Sequence, residues 1–507
     1  MGHQDVMTNL PRYELRIGGE WVPPVSNTYL PCDNPFTREN WCEIARGGSE
    51  DVDRAVTSAR AARKAWSGTP AAERGRMLVH FADLIEANAA RLAEIEVRDN
   101  GKLYAEMSGQ VRNVAAWYRY FAGIADKVEG AVIPSPISGK LTYTRYEPLG
   151  VVGLITPWNS PLLLLANKLA PALAAGNTAV IKPSEFTSAA TLEFVALMDE
   201  AGFPAGTANV VTGLGLEAGK PLVDHPDVAK IAFTGSEMGG QHIYEGAARG
   251  IKLVSLELGG KSPNIVFDDA DLEAAAMGAV TGIFSAAGQS CTAGSRLLLH
   301  RSIHDEFVKR LIDVASQARL GDPMDAATHI GPIATEPQFA KILSYIEVAR
   351  SEGATCVLGG EPYTDGACAK GRFIAPTIFT NINNNMRIAR EEVFGPVLSV
   401  IPFDTEEEAL AIANDTPYGL AAAVWTADLG RALRMSEQIE AGKVWINSYR
   451  YGNYAMPFGG YKRSGIGREG GVDAIYEYLH VKTVSIDTGS PRANPFVMPG
   501  AAPPKNL

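Results

Sequence analysis

The chain has 507 residues, enough for two or three domains with large cores, and its 46% hydrophobic and 20% charged content is that of an ordinary globular protein. Its net charge of -11 argues against nucleic acid or an anionic membrane surface as partner. Five cysteines without a CxxC pair fit a reducing, cytoplasmic setting, and eight histidines without metal-ligand spacing argue against a metal enzyme.

In chain order, the N-terminus lacks an apolar signal core, and residues 1 to about 12 read as a frayed tail. From Ser49 to Asp99 the composition is strongly helical, with a plausible cap at Ser49. A further helix, Tyr104 to Ala125, carries Trp117, Tyr118, Tyr120 and Phe121, a cluster expected to pack in a core. Between Glu129 and Pro148, alternation broken by prolines suggests an exposed hairpin or edge strands. The most apolar stretch, Pro161 to Ile181, is interrupted by Asn167, Lys168, Pro171 and Gly176, too often for a bilayer span.

From Gly150 onward short apolar strands alternate with helical segments: Val151–Ile155, Thr178–Ile181, Ala208–Val211, Lys230–Phe233 and Lys252–Leu256. This rhythm predicts a parallel sheet covered by helices, with ligands beyond the carboxyl ends of its strands. Those ends carry Thr156 to Asn159, Lys182 to Glu185, Thr234 to Ser236 and Glu257 to Gly260. Asn159 could donate into a developing oxyanion, or simply help start a helix. Glu257 at a buried edge should have the raised pKa of a general base; otherwise it is a cap or an ion-pair partner. Gly235 to Gly240 lead into a helix from Gln241 to Arg249, whose N–H groups suit a phosphate. Lys182 and Glu185 could bind ribose hydroxyls or form a surface ion pair. Gly213-Leu214-Gly215 is a GxG with its third glycine misplaced, and reads as a loop.

A second α/β pattern runs from Pro263 through Phe267 to Glu391–Pro396 and contains Cys291. The uncharged run from Ala274 to Gly288 predicts a buried helix that ends just before this cysteine, and Leu297 to Leu299 a buried strand behind it. A thiol on a rigid loop of small residues suits a nucleophile, although a free cysteine is more often only buried. Near the end, Tyr476 to Ser485 reads as a terminal strand that pairs outside its own domain, and Pro491 to Leu507 as a loosely ordered tail.

Taken together, the segments Pro157-Trp158-Asn159, Lys182-Pro183-Ser184-Glu185, Phe233-Thr234-Gly235-Ser236, Leu256 to Lys261, Gly288-Gln289-Ser290-Cys291, Glu391 to Pro396 and Pro457 to Lys462 resemble the aldehyde dehydrogenase superfamily over nearly the whole chain. The resemblance implies an α/β fold with two parallel-sheet domains and a β-strand oligomerisation arm. It divides the chain into a cofactor-binding domain (1–126 and 149–256), a catalytic domain (257–470), and an arm with C-terminal tail (127–148 and 471–507). It implies Cys291 as nucleophile, Glu257 as base, Asn159 with the Cys291 N–H as oxyanion hole, and Lys168 and Glu469 as a proton relay. NAD, rather than NADP, would lie along Thr156, Pro157, Trp158, Lys182, Ser184, Glu185, Gly215, Phe233, Thr234, Gly235, Ser236, Leu258, Glu392 and Phe394. Glu185 should repel a 2′-phosphate.

Substrate contacts implied in the same way are Asn159, Asn167, Ser290, Thr292, Arg450 and Phe458. Ser160, Asn167 and Gly452 stand where relatives acting on simple aliphatic aldehydes carry bulky aromatics, so a bulky, oxygenated or carboxylate-bearing aldehyde is expected, with Arg450 as a carboxylate clamp, or else facing solvent or pairing across a subunit contact. Glu237 departs from the usual phosphate loop and adds a negative charge there. A homodimer or homotetramer is expected. The alternatives are a relative that passes its thioester to coenzyme A, which typically lacks the base, and a non-catalytic scaffold, which would need neither Cys291 nor Glu257.

Overall fold

The computed structural model describes residues 10–489 together with 495 and 496. Most of the two expected tails, 1–9 and most of 491–507, lies outside these residues, whereas Arg12–Tyr13 pairs with Glu43–Ile44 as a short strand.

Two mostly parallel sheets organise the chain. The first has eight strands in the order Gly465–Ile466, Leu253–Glu257, Val228–Thr234, Val151–Ile155, Thr178–Lys182, Ala208–Val210, Leu15–Ile17 and Glu20–Val22. Its inner strands run parallel, and antiparallel strands close both edges. The strands Val151–Ile155 and Thr178–Lys182 are buried throughout, which their unbroken apolar runs dictate: a strand covered on both faces has no polar side to show. The second sheet has seven strands, in the order Thr355–Leu358, Thr377–Thr380, Val397–Phe403, Arg296–His300, Pro263–Val266, Ala421–Trp425 and Lys443–Ile446. All its pairs are parallel except the first.

The helical region resolves into three helices, Ser49–Gly68, Ala71–Ala87 and Ala89–Asn100. The cap is not Ser49. Gly48 precedes the first turn, and its N–H donates to Asp51 Oδ2 at 3.1 Å, so the carboxylate three residues further on ties down the helix start. In the helix Tyr104–Ile124, Tyr118 and Phe121 are buried, and Tyr118 meets Phe81 edge-on with centroids 4.9 Å apart. Trp117 packs against Tyr454 and also borders a cavity.

Lys140–Pro148 pairs antiparallel with Val132–Ile133 on one side and with Leu479–Asp487 on the other. The hairpin and the terminal strand thus form one small sheet separate from the two large ones. The terminal strand begins at Leu479 rather than Tyr476, because Val472–Tyr478 winds into a 3-10 turn. Among the described residues no helix is long and apolar enough to cross a membrane, and no group of His, Cys, Asp or Glu could hold a metal ion.

Candidate active site

Cys291 sits where the two sheets face each other. The helix Leu272–Phe284 is not buried throughout but leaves Glu273, Met277 and Thr281 exposed on one face; it ends short of Gly288, and Ser285–Gly288 tightens into a 3-10 turn. Ala286 and Ala287 adopt left-handed φ values of 54° and 50°, a strained path for residues with a Cβ. Gly288, at φ 71°, is required there: a Cβ would lie 2.1 Å from the Gly395 carbonyl oxygen. Gly260 allows a second close approach, since its Cβ would meet the Cys291 carbonyl oxygen at 2.5 Å. The cysteine loop is therefore clamped against two neighbouring backbones. Behind it, the buried Arg296 donates to the Lys261, Ile412 and Ala413 carbonyls and anchors the following strand.

Glu257 is the last residue of its strand and stands in register with Thr234 on the next. It is neither a cap nor an ion-pair partner. Its side chain is buried, and neither carboxylate oxygen has a hydrogen bond meeting ordinary geometry. Burial, aided by the nearby Glu469, pushes its pKa up to about 8; Lys168 and the Cys291 thiol pull the other way. The Cys291 thiol is itself held well above its usual range, first by burial and then by the Glu257 and Glu392 carboxylates, with Arg450 opposing them. Nucleophile and base thus act on one another directly.

Lys168 and Glu469 form a buried ion pair with Nζ and Oε1 2.5 Å apart, and the same ammonium donates to Thr234 Oγ1 at 2.5 Å. Glu469 is placed by reciprocal backbone hydrogen bonds with Phe458. This ion pair lies near enough to Glu257 for both of its members to act on the Glu257 carboxylate.

Two cavities meet at Cys291. The smaller, about 120 Å³, is bordered by Trp158, Thr234, Gly235, Ser236, Glu392 and Phe394. The larger, about 470 Å³, takes in Ser160, Asn167, Ser290, Thr292, Arg450 and Phe458. Cys291 and Asn159 border both. Asn159 Nδ2 donates to the Gln289 carbonyl oxygen at 3.1 Å, which fixes the amide and leaves its second N–H free to donate. Among the described residues the backbone N–H of Cys291 makes no hydrogen bond.

The smaller cavity continues along the carboxyl ends of the first sheet. Trp158 and Phe394 meet edge-on with centroids 5.4 Å apart, and Phe394 takes a left-handed φ of 58°. Glu392 Oε1 accepts the Gly260 N–H at 3.0 Å. Thr156 Oγ1 is buried without a partner. Lys182 is buried and its Nζ lies 3.3 Å from Glu185 Oε2, so the two are not a surface pair. Ser184 and Leu258 are buried, and Phe233 lies against Gly235, whose Cβ would touch its ring at 2.4 Å. The following helix starts at Glu237 rather than Gln241, with Ser236 as its cap, Oγ accepting the Gly239 N–H at 3.1 Å. Glu237 is turned away: it pairs with Arg463 and accepts the Tyr418 hydroxyl at 3.0 Å. Gly215 is not in a loop but opens a π-helical turn, Gly215–Gly219, on the exposed side. The Trp158 and Phe394 rings, the Glu392 carboxylate and the helix start at Ser236 border one crevice, an arrangement that suits a nucleotide with a flat ring.

Arg450 does not point to solvent. It borders the larger cavity, Nη1 reaches the Thr281 carbonyl oxygen at 3.4 Å, and burial lowers its pKa. Sequence reasoning missed Lys102, Glu106 and Lys443 on the same wall. No motif surrounds them; only the folded arrangement of the helix Tyr104–Ile124 and the strand Lys443–Ile446 brings them together.

A family model described as "Aldehyde dehydrogenase family" matches residues 21–484. The chain is 46% identical over 480 residues to an aldehyde dehydrogenase of Enchytraeus buchholzi, covering 94% of this chain and 96% of that protein. It is 47% identical to (Z)-2-((N-methylformamido)methylene)-5-hydroxybutyrolactone dehydrogenase of Acinetobacter baylyi, covering 96% of this chain and all of that one. The structure of betaine aldehyde dehydrogenase from Staphylococcus aureus in complex with NAD+ superposes with a TM-score of 0.94 at 42% identity, covering 96% of this chain and 97% of that one.

Proposed function

The chain belongs to the aldehyde dehydrogenase family, and from that premise we propose that it oxidises an aldehyde to its carboxylic acid with NAD, using Cys291 as nucleophile and Glu257 as base. The observation that carries this reading is the thiol shared by two cavities, so that one atom faces both an entering aldehyde and a bound nicotinamide. NAD, when bound along the smaller cavity, supplies the ring that accepts hydride.

The protein's own part follows from the geometry. Cys291 passes its proton to the neighbouring Glu257 and adds to the aldehyde carbonyl, forming a thiohemiacetal. Its oxyanion is held by the free N–H of Asn159 and the backbone N–H of Cys291. Loss of hydride leaves a thioester on Cys291. Once Glu257 has given up the thiol proton through Lys168 and Glu469, its carboxylate takes a proton from water, which attacks the thioester and releases the acid, freeing the Cys291 thiolate. Lys168 and Glu469 form the outlet for the proton collected on Glu257. Glu392 and Phe394 position the nicotinamide side, and Lys182 with Glu185 the adenosine ribose, where the carboxylate disfavours a 2′-phosphate. Glu257 argues against a coenzyme A acceptor, because water then has a base to activate it.

The first sheet is assigned to the cofactor domain, the second to the catalytic domain, and the separate three-stranded sheet to an arm that joins copies into a dimer or tetramer. Exposed Val132, Leu141, Val481 and Ile486 on that arm support the last assignment. Five free cysteines, among them Cys32 and Cys42 side by side on paired strands, suit a reducing cytoplasm.

The test is to follow reduced-cofactor formation with NAD and with NADP over an aldehyde panel, with Cys291→Ala as control, and to look for the acyl-enzyme by mass spectrometry. NAD-dependent turnover that disappears in the variant, with an acyl adduct on the wild-type cysteine, is the expected result. Turnover that survives Cys291→Ala would overturn it.

A further inference from the structure

The larger cavity carries an imbalance of charge. Lys102, Lys443 and Arg450 border it together with a single carboxylate, Glu106. Cations elsewhere in the chain commonly have carboxylate partners, as Arg372 does in Asp33 and Glu336. The three cavity cations do not; among the described residues their nearest polar partners are neutral. Lys102 is buried and its Nζ donates to Ser160 Oγ at 2.7 Å. Lys443 Nζ reaches only the sulfur of Met456 at 3.6 Å and the face of Trp445 at 5.3 Å. Arg450 reaches a carbonyl oxygen at 3.4 Å. Glu106 offsets only part of this charge: its field favours the charged forms of Lys102 and Arg450, as that of Glu96 does for Lys102, but it makes no ion pair with either and one of its oxygens accepts the Ala286 N–H at 3.2 Å, so three cations share one carboxylate on the cavity wall.

Partly desolvated cations without counter-ions are costly, and an entering anion relieves that cost with charge-assisted hydrogen bonds. Resting on the aldehyde-oxidising reading above, we propose that the substrate is an aldehyde carrying a carboxylate at its far end, held by Lys102, Lys443 and Arg450. Ser160, Asn167 and Gly452, all small or polar, leave about 470 Å³ for the body between the two ends, room for a ring. A cationic aldehyde is disfavoured. Three cations on the wall repel it, and the face of Trp445, one of the aromatic rings on the wall, already lies under the Lys443 ammonium.

The test compares size-matched aldehydes: 4-carboxybenzaldehyde, 4-methylbenzaldehyde and 4-(trimethylammonio)benzaldehyde. The wild type should favour the carboxylate over the methyl compound by at least about tenfold in kcat/KM, about 1.4 kcal/mol, and the cationic compound least. Lys443→Met and Arg450→Met should each lower the carboxylate-to-methyl ratio at least about threefold, and Glu106→Gln should raise it. Binding supplies a readout independent of turnover. Terephthalate should quench tryptophan fluorescence at lower concentration than 4-methylbenzoate, through Trp117 and Trp445 in the cavity wall, and Lys443→Met should erase the difference. This variant removes no buried hydrogen bond to nitrogen or oxygen, so its folding is preserved where that of Lys102→Met could fail. Equal or reversed preference in both assays overturns the proposal and leaves the dehydrogenase reading standing. Tight terephthalate binding without turnover of any aldehyde supports the anion site and overturns the dehydrogenase reading instead.

Discussion

The walls of the two cavities that meet at Cys291 are built in opposite ways. On the smaller side, Trp158, Thr234 and Ser236 lie at or just beyond neighbouring strand ends of one parallel sheet, whose register fixes their spacing, and Glu392 and Phe394 close the crevice opposite them. On the larger side, Lys102 precedes one helix, Lys443 begins a strand of the other sheet, and Arg450 sits in a loop at a left-handed φ of 65°. A sheet edge leaves little freedom to vary, so its chemistry is common to many chains. A wall assembled from separate elements can be altered one side chain at a time. On the function proposed above, reaction type resides in the first wall and substrate choice in the second.

The strongest way to break that division is to remove the group both sides share. Cys291→Ala should lower kcat by at least about 10⁴-fold for every aldehyde while leaving NAD binding in place. If NAD binding fell as well, the cysteine loop would be supporting the cofactor wall and the two sides would not be separable. Glu257→Gln should cost about 10² to 10⁴-fold in steady-state kcat, and acyl-enzyme should accumulate because water has lost its base. Wild-type activity should rise with pH through about 8 as Glu257 ionises, and the variant should lose that limb. A retained limb would place the titrating group elsewhere.

The ion pair near Glu257 gives a smaller effect with a definite sign. The Glu469 carboxylate raises the Glu257 pKa and the Lys168 ammonium lowers it. Glu469→Gln should thus move the ascending limb to lower pH, and Lys168→Met should move it to higher pH. Loss of packing alone would reduce kcat in both variants and displace neither limb. Opposite displacements measured from kcat–pH profiles are therefore the signature of an electrostatic role.

The same division governs what could be read from the sequence. Unbroken apolar strands with polar residues at their carboxyl ends gave the parallel sheet and located Asn159, Lys182 and Glu257, because strand alternation with helices leaves few topologies. The isolation of Glu257 could only be suspected: that no partner reaches either oxygen is a property of packing. Glu237 looked like an intruding charge, since its partner Arg463 lies far along the chain. Gly215 looked like loop, because a single π-helical turn has no periodic pattern to announce it. Lys102, Glu106 and Lys443 were invisible for a different reason. A helix that puts Tyr118 and Phe121 in the core reads as core throughout, and nothing local tells that its first turn borders a cavity.

The smallest predicted effect lies at the far end of the cofactor wall. Glu185 is only partly buried, and its Oε2 lies 3.3 Å from the Nζ of buried Lys182. While that carboxylate is present, it both accepts ribose hydroxyls and repels a 2′-phosphate, and it keeps the lysine partly neutralised. Glu185→Ser removes the repulsion, leaves a hydroxyl and frees the Lys182 ammonium to meet a phosphate. The ratio of kcat/KM for NAD over NADP should then fall about tenfold, about 1.4 kcal/mol. The preference among aldehydes at saturating cofactor should stay within about twofold of wild type, because neither Lys182 nor Glu185 borders the larger cavity. A changed aldehyde preference would show that the two walls are coupled through the sheet, and that the cofactor side also takes part in choosing the substrate.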